Sequence, residues 1–396
     1  MKPINICNNI WYVGAHNPDL RVFDVIMETE YGTSYNAYVV KGSEKIAVIE
    51  TVKNKFNKQF IEAVSSLIDP AKIDYIVLDH TEPDHSGSIS ELLAIAPNAT
   101  VLASRAAIGF VIEQINADFP HKVVKAGGRI SLGDKTLSFL STPFLHWPDS
   151  IFTWIAEDKV LFTGDVYGCH YCALEVLDET VDKDLFSAQK YYFDVIMGPF
   201  KDYVRKAIAK TKALPVELIC PSHGPVLKKH LWDIVDLYDQ WSTDITIVNE
   251  VKKVVLVYAS AYGYTLKLAQ TIRHTLQLEG IDVDFIELTS LSPAEIKAKI
   301  DVADGFLIGS PTFNRDALPP VWILLSNLSA YRQKKMPAGA FGAYGWSGEA
   351  SPMMQERMRS LGMKIPVDFM RVKFNPTDED LENAKDWAKE FAKAVK

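Results

Sequence analysis

The chain has 396 residues, 48% of them hydrophobic and 23% charged, with a net charge of −8 at pH 7. That length and apolar content suit two or three soluble domains with sizeable cores. The negative balance argues against nucleic acid or an anionic membrane as partner. With neither a signal-like start at Met1–Cys7 nor an apolar run long enough to span a bilayer, a cytoplasmic location is expected.

Short alternating segments open the chain: Ile10–Val13, Ser34–Val40 and Lys45–Ile49, the last two joined by a Lys41–Glu44 hairpin turn. Helical spacing runs from Phe56 to Leu67 and stops at Asp69-Pro70. The apolar run Ile73–Leu78 reads as a buried strand, and the turn after it is His80-Thr81-Glu82-Pro83-Asp84-His85. A helix near Ser88–Ile95, a strand Thr100–Leu102 and a helix Ala106–Ile115 follow. Strand patterning returns from His121 to Asp165, with turns at Gly127-Gly128 and Gly133-Asp134. Residues 184–211 read as a long helical region whose aromatics are core, although the Tyr192 phenol is a candidate proton donor to a nearby pocket. A helix Leu231–Ile247 leads to a linker, Val248-Asn249-Glu250. Sheet, helices and sheet again predict a four-layer αββα sandwich over 1–249.

Four cysteines do not make a disulfide framework at this length. Cys169 and Cys172 have C-x-x-C spacing, but no second pair completes a zinc or iron–sulfur site and the thioredoxin-like context is absent, so structural thiols are the favoured reading.

Two imidazoles and two carboxylates within six residues would repel or sit unsatisfied unless a cation organised them. Three more polar residues end apolar runs downstream: His146 after 136–145, Asp165 after 159–164 and His223 after 216–222. The candidate set is His80, Glu82, Asp84, His85, His146, Asp165 and His223, too many for one tetrahedral zinc and about right for two metals sharing a carboxylate. The order resembles the metallo-β-lactamase signature with Glu82 where the hydrolases carry His. A carboxylate there hardens the site and suits iron better than zinc.

From Lys252 strands and helices alternate: strands over 253–258, 282–286, 304–309, 338–343 and 366–373, helices over 265–279, 292–300, 319–328, 349–361 and 378–394. This predicts a flavodoxin-like, doubly wound five-stranded parallel sheet over 250–396. Ser260, Ala261, Tyr262, Gly263, Tyr264 and Thr265, between the first strand and helix, suit a phosphate, with Gly263 allowing close approach. Ser310, Pro311, Thr312, Phe313 and Asn314 follow the third strand, and Ala343, Tyr344, Gly345, Trp346, Ser347 and Gly348 the fourth, where a flavin ring would sit with Tyr344 or Trp346 stacked on it. No Walker or dinucleotide spacing is present, so FMN is the expected cofactor.

Taken together the chain resembles the flavodiiron proteins (A-type flavoproteins), a family of oxygen and nitric-oxide reductases, over essentially its whole length. The resemblance implies that His80, Glu82 and His146 serve one iron, Asp84, His85 and His223 the other, and Asp165 bridges them, with the His85 counterpart turned away in some members. Some members carry a pocket histidine after the early phenylalanine; Arg21–Met27 lacks it. No rubredoxin-like C-x-x-C knuckles or flavin-reductase domain follows Lys396, as in the minimal two-domain class, implying a separate donor such as rubredoxin or a reduced deazaflavin coenzyme. The resemblance also implies a head-to-tail homodimer or dimer of dimers, reducing dioxygen to water, nitric oxide to nitrous oxide, or both. The rivals are a zinc hydrolase with an accessory flavodoxin domain, and an electron carrier using FMN alone.

Overall fold

A computed structural model describes residues 2–181, 184–243 and 249–396. The chain divides into two compact units, Met1–Asp244 and Ile245–Lys396. The expected end of the last helix of the first unit and the start of the linker fall at 244–248, outside the described residues; the helix is seen over Leu231–Ser242.

The first unit pairs two sheets. Seven strands form one, in the order Ile4–Cys7, Ile10–Tyr12, Tyr38–Lys41, Ile46–Ile49, Tyr75–Leu78, Thr100–Ala103 and His121–Val123. Five form the other: Arg129–Ser131, Thr136–Ser141, Ile151–Ile155, Val160–Phe162 and Leu218–Cys220. Alternation along the strands sorts side chains into layers. Val77, Leu102, Leu137 and Phe162 fill the space between the sheets. Ile76 and Val101 face the opposite way, onto Phe60, Val64 and Val111 of the helices Asn57–Leu67 and Arg105–Ile115. Phe152, Leu161 and Ile219 pack on Val204, Ile208 and Ile234 of the helices Lys201–Lys212 and Leu231–Ser242. The result is the expected αββα sandwich.

Two expected elements are broken. The run Ser34–Val40 splits into Thr33–Tyr35 and Tyr38–Lys41, in different sheets. Asn36 lies between them, its backbone N–H donating to Ser222 O (2.9 Å) and its Nδ2 to Pro221 O (2.8 Å) and Gly224 O (2.9 Å). The helical region 184–211 is interrupted between Asp184–Tyr192 and Lys201–Lys212, where Pro199 lacks the N–H a continuous helix needs.

The second unit is a five-stranded parallel sheet in the order Asp282–Glu287, Lys253–Tyr258, Gly305–Gly309, Ala338–Tyr344 and Met370–Lys373. Val255 and Val257 face one helical layer, Val254 and Leu256 the other. Because the three inner strands are covered on both faces, their sequences are nearly continuous apolar runs, whereas the edge strands Asp282–Glu287 and Met370–Lys373 carry exposed charges. Strand order reverses beside Lys253–Tyr258, which puts a crevice at the carboxyl ends of this strand and Gly305–Gly309.

At Gly342 a Cβ would press into the backbone oxygen of Ser310 in the neighbouring loop. Gly342→Ala is therefore expected to destabilise this unit by about 1–3 kcal/mol, read as a lower denaturant midpoint at constant slope. An unchanged midpoint would show that the Ser310 loop gives way freely.

Candidate functional site

The seven ligand candidates gather at one rim of the sandwich. His80 lies two residues past Tyr75–Leu78, and Asp84 and His85 sit on the one-turn helix Pro83–Ser86, with Glu82 just before it. His146 follows Thr136–Ser141, Asp165 follows Val160–Phe162, and His223 follows Leu218–Cys220. The last two strands are parallel, so their ligand loops leave from the same end.

Asp165 divides the set into two lobes. Its Oδ2 lies 3.5 Å from His80 Nε2 and 3.4 Å from His146 Nε2, and Glu82 Oε2 lies 3.5 and 3.0 Å from the same two nitrogens. Its Oδ1 lies 3.2 Å from His85 Nε2 and 3.6 Å from His223 Nε2; Asp84 reaches these with Oδ1 at 3.4 Å and Oδ2 at 3.0 Å. His85 is turned inward here, buried at 2% exposure.

Donor atoms bound to one ion at about 2.1 Å and at right angles stand about 3.0 Å apart, so these spacings suit cations between the groups. A second observation supports them: His80 Nε2, His85 Nε2, Asp84 Oδ1 and Asp165 Oδ1 are buried without a hydrogen-bond partner. Mixed imidazole and carboxylate donors, with no thiolate, suit iron.

The electrostatics are mutual. Burial raises the Asp165 carboxyl, but His85, His146 and His80 outweigh it and hold the group well below the usual range. Glu82 and Asp84 are likewise lowered against burial, by His146 and His80 in one case and His85 and His223 in the other. In return, Asp165 and Glu82 overcome burial to raise His146 to about 9.

A supporting layer was not singled out from sequence. Asp149 approaches His80 Nδ1 at 3.2 Å and accepts from Thr81 N (2.8 Å) and Oγ1 (2.7 Å), leaving His80 Nε2 for the site. Ser34 O does the same for His223 Nδ1 at 2.6 Å. Glu50 accepts from Asp79 N (2.6 Å) and His80 N (3.1 Å). His170 of the C-x-x-C segment packs 5.3 Å from the His223 ring and 4.2 Å from Phe23, so a histidine reaches this pocket from a different segment than Arg21–Met27. Only an unpaired imidazole beside a ligand strand hinted at it. Tyr192 is buried, and burial followed by Asp165 pushes its phenol well above the usual range. Cys169 is buried against Gly224 (φ +78°), where a Cβ would sit 2.8 Å from its Sγ, and Cys172 is raised to about 11 by burial; neither is an activated thiolate.

In the second unit a cavity of about 320 Å³ is lined by Ser260, Ala261, Tyr262, Tyr264, Thr265, Pro311, Thr312, Phe313, Asn314, Ala343, Tyr344, Gly345 and Trp346. Phe374 completes it and was missed, since it follows an edge strand with no turn signal of its own. Gly263, Ser310, Ser347 and Gly348 do not line it. Gly263 instead caps the helix Tyr264–Leu278 at φ +82°, with nothing within 4 Å of where a Cβ would stand. Several hydroxyls are occupied with the loops themselves. Ser260 Oγ accepts from Leu266 N (3.2 Å), Ser310 Oγ from Leu318 N (3.2 Å) and Thr312 Oγ1 from Ala350 N (3.3 Å). No cationic side chain is among the described residues lining the cavity. A helix N-terminus, an open glycine turn and exposed Tyr262 and Trp346 fit a planar cofactor with one phosphate.

Residues 33–224 match a family described as ODP family beta lactamase, and residues 256–387 match the flavodoxin family. A flavo-diiron protein of Clostridium acetobutylicum is 39% identical, with 100% of both chains covered. A nitric oxide reductase of Moorella thermoacetica is 32% identical over 100% of this chain and 99% of its own. Among solved structures, a rubredoxin oxygen:oxidoreductase from the anaerobe Desulfovibrio gigas matches with a TM-score of 0.68 and 31% identity, covering 100% of this chain and 98% of that one. With both units matched in order and end to end, the chain belongs to the flavodiiron (type A flavoprotein) family of oxidoreductases.

Proposed function

We propose that this protein reduces dioxygen to water, nitric oxide to nitrous oxide, or both, at a non-haem diiron site fed by FMN. The observation that carries the reading is the two-lobed ligand set around Asp165. His80, Glu82 and His146 would hold one iron and Asp84, His85 and His223 the other, with Asp165 between the two sets. Two ferrous ions and a fully reduced flavin supply four electrons, the number that dioxygen needs to become two waters. The residues themselves do three things. Asp149 and the Ser34 carbonyl aim two imidazoles. Phe23, Tyr35 and Trp147 pack against His223 and His80 and exclude bulk water. Tyr192 holds a phenolic proton beside Asp165. The loops around Ser260–Thr265, Pro311–Asn314 and Ala343–Trp346 hold FMN. Electrons come from a separate donor, rubredoxin or a reduced deazaflavin coenzyme. The working assembly is a head-to-tail homodimer or a dimer of dimers, in the cytoplasm, and no described helix is long and apolar enough to cross a membrane. The boundary between the domains lies at 249/250, five residues past the division between the two compact units.

Holoprotein with two irons and one FMN, reduced anaerobically and mixed with each gas in a stopped-flow spectrometer, is expected to reoxidise its flavin rapidly with at least one of them. Indifference to both would defeat this reading.

Metal loading has a pH signature. The His146 imidazole, at about 9 when folded against an ordinary 6.5, stabilises the metal-free protein below pH 6.5, and that contribution is lost as pH rises through 9. Iron requires the neutral ring, so uptake releases a proton below pH 9 and observed affinity climbs with pH up to that point. Calorimetry in buffers of different ionisation enthalpy measures the release; none at pH 7.5 contradicts the assignment of His146.

Asp149→Ala removes the acceptor on His80 Nδ1 and is expected to weaken iron retention about 10- to 100-fold. Metal content after dialysis against a graded chelator is the readout, and wild-type retention would show Asp149 to be dispensable.

A further inference from the structure

The metallo-β-lactamase-like unit has a second cavity, about 200 Å³, open to solvent. Its wall is mostly apolar, with carboxylates and hydroxyls of Glu28, Thr29, Glu30 and Ser187 among it, and His170 belongs to the same wall. His170 is 5% exposed, and its ring stands 5.3 Å from that of His223 and 5.0 Å from that of Tyr192. One imidazole therefore borders both the cavity and the ligand set. Its Nδ1 meets Thr33 Oγ1 at 3.0 Å, while its Nε2 is buried with no partner. A buried nitrogen left so is destabilising, a deficit that one bound water would remove.

We propose that this cavity is a solvent port to the His223 side of the diiron site, by which protons enter and product water leaves, with His170 as the hydrogen-bonding group at its inner end. The inference rests on the reductase reading above. Dioxygen taking four electrons also takes four protons and yields two waters; two nitric oxide molecules taking two electrons take two protons and yield nitrous oxide and one water. Either reaction needs a polar path: Glu82 and His146 keep 21% and 17% of their side chains exposed on one side of the site, while Phe23 and Tyr35 wall the His223 side, where the His170 cavity offers one. The carboxylates and hydroxyls at the cavity wall offer water the hydrogen-bonding partners it needs. With Nδ1 engaged by Thr33 and Nε2 free, the ring acts by anchoring water.

Two variants of the holoenzyme test this. Ser187→Trp fills the exposed side of the cavity from the helix Asp184–Tyr192 without touching the ligand set. His170→Phe keeps the ring stack and removes both nitrogens. Each is expected to retain wild-type iron and FMN, to slow flavin reoxidation by gas about tenfold, and to enlarge the solvent deuterium isotope effect on that step. A crystal structure of the wild-type holoenzyme is expected to show ordered water within hydrogen-bonding distance of His170 Nε2. A wild-type rate in Ser187→Trp overturns the port, as does slowing with an unchanged isotope effect, which would mark a gas route, or a dry cavity at His170. Failure of the wild-type enzyme to react with either gas would instead defeat the reductase reading, and the crystallographic water would still be judged on its own.

Discussion

One carboxylate, Asp165, holds the metal end of this protein together. Its two oxygens face two different groups of nitrogens, and it comes from the turn after Val160–Phe162 while its partners come from three other loops. Desolvating so many ionisable groups is costly unless each charge meets its opposite at close range. Here each does. The carboxylates of Glu82, Asp84 and Asp165 are held ionised by the imidazoles, and the imidazoles of His80, His85 and His146 are raised by the carboxylates. Removing any one leaves a buried charge without its counterpart, which is why the loops are tied so firmly from behind. Asn36 clamps the His223 loop through Pro221 and Gly224, and Glu50 clamps the backbone of Asp79 and His80.

The seven candidate positions were legible because carboxylates and imidazoles cluster in the loops that follow apolar strands, a pattern that a core residue or a solvated loop does not reproduce. The layers were legible for the same reason that strands alternate: Ile76 and Val77 face different cores. What escaped was whatever depends on a residue far away in the chain. Asp149 is a single acid in a His-Trp-Pro-Asp-Ser loop, and nothing local distinguishes it from a turn residue; only the fold brings it to His80. Glu50, at φ +61°, looks like an ordinary end to the strand Ile46–Ile49. His170 was hidden by the cysteines flanking it, whose spacing suggested redox chemistry where the structure shows packing. The split at Asn36 had no local marker either, because Tyr35 and Tyr38 are both good strand residues.

In the flavodoxin-like unit the three loops were placed correctly, but the reasoning from their hydroxyls was only partly right. Ser260, Ser310 and Thr312 spend their oxygens on backbone N–H groups of neighbouring helices and loops. Those bonds shape the cavity, and the anion-binding capacity falls to the N-terminus of Tyr264–Leu278 and the open turn at Gly263. A phosphate held this way needs no lysine, which agrees with the absence of cationic side chains among the described lining residues.

The supporting carboxylates set off what Glu82 would add as a ligand. Glu50 and Asp79 are buried behind His80, where burial pushes both carboxyls above the ordinary range, whereas His80 holds Asp149 below it against burial. Among the seven candidates only Glu82, Asp84 and Asp165 can bring negative charge to the pocket, facing four imidazoles. An imidazole at position 82 would remove one of those three charges from a largely buried pocket, where Coulomb energy is strong. With iron held there, the carboxylate would do two jobs at once, selecting a harder metal by its oxygen and offsetting the charge of a pair of buried dications.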